Sequence, residues 1–107
     1  MKNYMFYRVS DMGVDSAGNI YIVDSGNERI QKFDKNGKYI KTIGRKGQGP
    51  GEFDSPTSIF IDVEDNIYIK DGREIEIFDK NGNFIKKYLV IIPLLTFHFF
   101  LFQVFIL

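Results

Sequence analysis

The chain has 107 residues, 44% hydrophobic and 26% charged, with fourteen basic and fourteen acidic residues, a formal net charge of zero and no cysteine. That length suits one small domain, the balanced charge supplies no global field for nucleic acid or an anionic membrane surface, and the lack of cysteine excludes disulfides and thiolate metal sites. The average hides two compositions: every charged residue lies at or before Lys87, while the nineteen residues from Leu89 to Leu107 carry no formal charge, His98 aside.

Residues 1–5 read as an N-terminal stub. The uncharged run in "MKNYMFYRVS" ends at Arg8, short of the roughly 7–15 apolar residues of a signal peptide, so the expected localisation is cytoplasmic. Residues 6–50 then form one copy of a repeat with its linker, and residues 51–88 form a second. The stretch "FDKNG" at Phe33–Gly37 returns at Phe78–Gly82, 45 positions later. Around it, Asp15 matches Asp62, "NIYI" at 19–22 matches 66–69, Asp24 matches Asp71 and Phe6 matches Phe53, with the second copy two residues shorter after its second Asp. Self-similarity at this period marks a repeat architecture.

Each copy divides into short runs of Ile, Tyr, Phe and Val between Gly, Asn and Asp, the pattern of strands and turns. The spacing predicts strands near 10–14, 19–23, 29–34 and 38–43, then near 57–62, 66–70, 74–79 and 83–88. The Asn-Gly pair of "DKNG" predicts a type I′ hairpin turn with positive φ at both residues. A helix through 28–38 is the weaker alternative, because Gly26 and Gly37 leave barely three turns between them. In "NIYI", Ile20 and Ile22 share one face and Tyr21 and Val23 the other, so the strand expects neighbours above and below. "KYIKTI" and "NFIKKY" mix lysines with apolar residues, as suits outer strands.

Four antiparallel strands per copy, buried on both faces, describe a β-propeller blade, so the expected class is all-β with two four-stranded blades. With Gly18, Asp24, Asn27, Arg29, Ile30, Gly37, Gly44, Gly51, Phe53, Pro56 and Asp62 in place, residues 6–88 resemble the NHL repeat and its six-bladed propellers. The second copy departs in carrying Glu74 where the first has Arg29, and the first carries Val9 where the second has Pro56. Propellers close with about four to eight blades. The resemblance therefore implies a fragment of a longer propeller or, alternatively, a homo-oligomer in which three copies complete six blades.

The tail, residues 89–107, reaches the length of a membrane span, about 20 residues, and follows Lys86 and Lys87. It is read as a membrane anchor or, equally, as the relic of a shifted reading frame.

Candidate chemistry is sparse. "GRKGQGPGEF" carries glycines that suit a phosphate cradle, but it lacks the Gly-Lys-Ser/Thr ending of a nucleotide loop and reads better as the crossing between blades. "DKNG" lacks the further oxygen ligands of a calcium loop. Asp15, Asp24, Asp62 and Asp71 read as turn caps, and His98, the single histidine, excludes a histidine zinc site within one chain. Arg29, Arg45, Lys46 and Arg73 are the candidate binding residues, placed toward the loop ends where the resemblance implies partner binding. Against this, Arg29 can hold its own blade and the others can be solvated linker charge. No metal or cofactor is expected, and zero net charge argues against nucleic acid. The reading is a non-catalytic scaffold for a protein or small ligand; the alternative is a fragment of a propeller enzyme, a lyase or lactonase, whose active site lies elsewhere.

Overall fold

The computed structural model describes residues 5–90. The apolar tail considered as a membrane span therefore lies, from residue 91 onward, outside the described residues. Among those described, no helix is long and apolar enough to cross a membrane.

Two four-stranded antiparallel sheets follow one another along the chain. The first holds β1 (Val9–Val14), β2 (Ile20–Asp24), β3 (Arg29–Phe33) and β4 (Tyr39–Ile43). The second holds β5 (Pro56–Ile61), β6 (Ile67–Asp71), β7 (Glu74–Phe78) and β8 (Phe84–Leu89). Within each sheet the spatial order equals the chain order, the up-and-down arrangement of a propeller blade. The segment weighed as a helix is instead β3, preceded by a single 3₁₀ turn at Ser25–Asn27.

The "DKNG" turns differ from expectation in one respect. Gly37 and Gly82 have φ of 87° and 84°, but Asn36 and Asn81 do not adopt positive φ. The Asp34 N–H donates to the Lys38 carbonyl and the Gly37 N–H to the Asp34 carbonyl, which closes a three-residue loop ending in a left-handed glycine. The turn is thus type I with a bulge, not type I′. The Asp34 carboxylate decides this by accepting the Asn36 and Lys38 amides at 2.8 and 2.9 Å, fixing the first residues of the turn in the right-handed region. Asp79 does the same for Asn81 and Asn83.

The core lies between the blades. Tyr21, Val23 and Ile30 on one face of blade 1 pack on Ile67, Ile69 and Phe78 of blade 2, with Ile59, Ile61 and Phe84 against the cluster. The alternation of "NIYI" explains this: Tyr21 and Val23 are fully buried in the joint, whereas Ile20 and Ile22 face the other way and are half-buried. Polar contacts tie the joint at its ends. The Ile59 N–H donates to Asp11 at 2.9 Å, and the Ser16 amide and hydroxyl both donate to Asp65.

Candidate functional site

The blades have two ends. One carries the four short Asp-initiated turns; the other carries the β2–β3 and β6–β7 connections and the linker from Gly44 to Ser55. All four candidate cations lie at this linker end, but not in one environment.

The linker is locked onto itself and onto blade 2. Phe53 is fully buried, and its ring lies so close over Gly44, at φ 80°, that a Cβ there would meet it at 2.2 Å. The Phe53 N–H donates to the Arg45 carbonyl, the Gly47 N–H to the Phe53 carbonyl, and the Gly49 and Gly51 N–H groups to the carboxylates of Glu52 and Glu76. These amides, the ones a phosphate cradle would need, already serve acceptors of the chain itself. Arg45 is exposed and pairs with Glu52 at 2.8 Å, Lys46 is exposed beside it, and Lys87 reaches back to the Gln48 carbonyl at 3.0 Å.

Arg29 faces inward. Its Nε donates to Asp24 at 3.0 Å and one terminal nitrogen donates to the Met5 carbonyl at 2.7 Å, leaving the side chain 13% exposed. Asp24 is fully buried and also accepts from Asn27 and from the Tyr7 amide, so it ties β2, β3 and the strand entry together. Asp15 and Asp62 cap their turns similarly, each accepting from an asparagine side chain and a tyrosine hydroxyl.

Blade 2 repeats the frame with altered charges. Asp71, which is 4% exposed, accepts the amides of Asp54 and Ser55, as Asp24 accepts that of Tyr7. The residue opposite it in the ladder is now Glu74, where Asp24 has Arg29. Two positions along, Glu76 replaces Gln31, and Lys87 replaces the Thr42 hydroxyl that hydrogen-bonds Gln31. Glu76 is fully buried, with one oxygen on the Gly51 N–H and Oε2 lacking a partner among the described residues. Burial raises its carboxyl to about 7 against the pull of Lys87 and Gly51, and Asp71 adds to the rise. A polar pocket of about 330 Å³ opens over this corner, lined by Gln48, Asp54, Asp71, Gly72, Arg73, Glu74 and Leu89.

Arg73 alone of the four candidate cations lines that pocket. The Glu74–Arg29 mismatch was visible in the aligned repeat; the burial of Glu76 against Asp71 was not, because it depends on which face of β7 meets the linker. Among the described residues no group of three or more His, Cys, Asp or Glu is placed to hold a metal.

The profile of a family described as "6-bladed beta-propeller" matches residues 7–86. The chain is 30% identical over 81 residues to NHL repeat-containing protein 3 of Homo sapiens, covering 71% of this chain and 23% of that protein. Protein lin-41 of Caenorhabditis elegans is 40% identical over 50 residues, 45% of this chain and 4% of its own length. A crystal structure of a Bacteroides fragilis protein superposes with a TM-score of 0.75 at 23% identity, covering 87% of this chain and 27% of that one, a likeness of fold. The chain thus spans less than a quarter of the length of its human relative.

Proposed function

This chain belongs to the six-bladed β-propeller family, and from that premise we propose that its two blades form a non-catalytic scaffold whose linker end binds a protein partner. The observation that carries the reading is the commitment of the repeated carboxylates to backbone. Asp15, Asp24, Asp34, Asp62, Asp71 and Asp79 each accept amides of turns or strand entries. Carboxylates engaged in this way hold the blades in shape rather than carry protons for a substrate. At the linker end, exposed Arg45, Lys46 and Arg73 alternate with Asp54, Glu52 and Glu74. Mixed charge of this kind suits a protein surface better than a phosphate backbone, which needs an excess of Lys and Arg.

The enzyme alternative draws on the Asp71–Glu76 pair, since adjacent carboxyls can divide acid and base roles. Turnover of lactone and ester substrates by the full chain, with and without calcium or zinc, tests it. The scaffold reading expects none; turnover that disappears in Asp71→Asn would replace it with a propeller hydrolase.

A further inference from the structure

Blade 2 buries apolar residues on both of its faces, although only one face meets blade 1. Ile67, Ile69 and Phe78 point into the joint. On β7, Glu76 and Phe78 alternate with Ile75 and Ile77, so the two isoleucines project from the opposite, far face. The ladders place Tyr68 and Lys70 beside them on β6, Ser58 and Phe60 on β5, and Lys86 and Tyr88 on β8. Ile75 and Ile77 are 2% and 8% exposed, and with Val90 and Tyr68 they form a hydrophobic cluster separate from the joint.

Val90 shows how the chain leaves this blade. It lies past the end of β8, its N–H donates to the Arg73 carbonyl at 2.7 Å, and its side chain, 6% exposed, packs on the far face. The seventeen residues that follow it, 91–107, hold five phenylalanines and no formal charge, His98 aside. The far face is four strands wide. At a strand spacing of about 4.8 Å that is roughly 14 Å, whereas seventeen extended residues reach roughly 55 Å, so the segment has length to cross the face and return.

The same face is ill made for a further blade of this repeat. In the joint, Gly13 lets Ile61 come within 3.2 Å of its Cβ position, and Val23 is fully buried. On the far face Phe60 fills the place of Gly13 and Lys70 that of Val23. A preformed sheet must match the whole surface at once, and Phe60 holds it off; a single segment settles around such a residue. Ile77, in turn, replaces Lys32, whose ammonium lies 5.2 Å from the Tyr21 ring centroid. Blade 1 has a cation at that place, and blade 2 continues the apolar surface through it. Lys70 and Lys86 flank the patch, and phenylalanine rings accept ammonium groups on their faces.

We propose that the far face of blade 2 is the docking site of residues 91–107 of the same chain, with Ile75, Ile77 and Tyr68 as the receiving surface and Val90 as the first contact. The segment takes the place that a following blade holds at the joint, and a run with the length of a membrane span serves as packing. Docking here is independent of what the linker end binds.

Paramagnetic labelling of the full chain tests this. The chain has no cysteine, so a nitroxide is attached singly at Ser58→Cys on the far face, or at Val14→Cys, which is exposed on the face of blade 1 turned from the joint. The amides of residues 91–107 should lose most of their intensity with the first label and keep it with the second. Ile77→Lys, which restores the blade 1 residue, should remove the loss while the Gly13 and Tyr21 amides keep their shifts and so report an intact joint. Should that variant fail to fold, the two labels on the otherwise native chain decide alone. No loss from the Ser58 label, equal loss from both labels, or unchanged loss in folded Ile77→Lys would each overturn the proposal. Loss in a mixture of labelled, unenriched chain with unlabelled ¹⁵N chain would overturn it in favour of a second copy. Flotation of the native chain with phosphatidylcholine vesicles would overturn it in favour of a membrane segment; the docked chain should remain at the bottom of the gradient.

Discussion

At the scale of single residues, the two blades are one frame carrying two charge patterns. Gln31 and Thr42 form a neutral hydrogen-bonded pair, while two ionisable residues, Glu76 and Lys87, occupy the same places. The Glu76 carboxyl rises, through burial, from the ordinary 4.5 to about 7, so the folded chain holds its proton more tightly than the unfolded chain does. The resulting stability is complete below pH 4.5 and is lost as pH rises through 7. The loss amounts to about 3 kcal/mol, each pKa unit corresponding to about 1.4 kcal/mol. Asp71 on β6 and Lys87 on β8 face the group, and they pull in opposite directions. Glu76→Gln, which copies blade 1, should flatten this dependence and leave the variant more stable than the native chain at pH 8. Urea midpoints from pH 5 to 8 check it, and parallel profiles for the two proteins would count against the assignment.

At the scale of elements, the turns were legible in outline and misread in detail. Asp, Asn and Gly announce a tight hairpin, but whether Asn takes positive φ depends on where the Asp side chain bonds. In both copies it bonds forward to the turn amides, so only the glycine is left-handed. The pair Gly37 and Gly82 separates backbone from packing. Both have the same sign and size of φ, yet a Cβ at Gly37 meets nothing within 4 Å, while one at Gly82 meets Ile43 at 3.1 Å and the Lys41 ammonium at 3.2 Å. Gly37→Ala should cost about 1 kcal/mol, the penalty of a left-handed L-residue. Gly82→Ala should cost more, because buried Ile43 must move as well. Chemical denaturation of the two variants measures the difference, and equal costs would mean that the joint near Ile43 yields freely.

At the scale of the whole molecule, the blades are stacked in one direction, so each joint has unlike sides. Phe6, Met12 and Val14 of blade 1 are 42%, 54% and 56% exposed, while their equivalents Phe53, Ile59 and Ile61 pack in the joint. The far face of blade 2 is not a copy of the face blade 1 presents, since Phe60 stands where blade 1 has Gly13, and Lys70 where it has Val23. In the joint, Gly13 lies 3.2 Å, measured from a Cβ position, from Ile61, so a phenylalanine at that place changes what can dock. Three identical copies forming a ring would meet this mismatch at every contact between chains. The double variant Phe60→Gly, Lys70→Val should therefore form larger assemblies than the native chain in sedimentation. An unchanged mass would show that the far face does not dock in the manner of the internal joint.

By itself the sequence determined the repeat, the strands to within a residue at each end and the four-stranded blades, because these follow from local spacing of apolar and turn residues and from an exact "FDKNG" recurrence; the propeller family came from the resemblance of residues 6–88 to the NHL repeat. Only the tertiary structure decided which cations face solvent and which hold the frame. Arg29 and Arg73 look alike as letters, yet one is seated on buried Asp24 and the other lines the pocket beside Asp71. The physical reason is that charge takes its meaning from its partners. Those partners come from the linker and from neighbouring strands, whose approach is set by packing between blades and not by spacing along the chain.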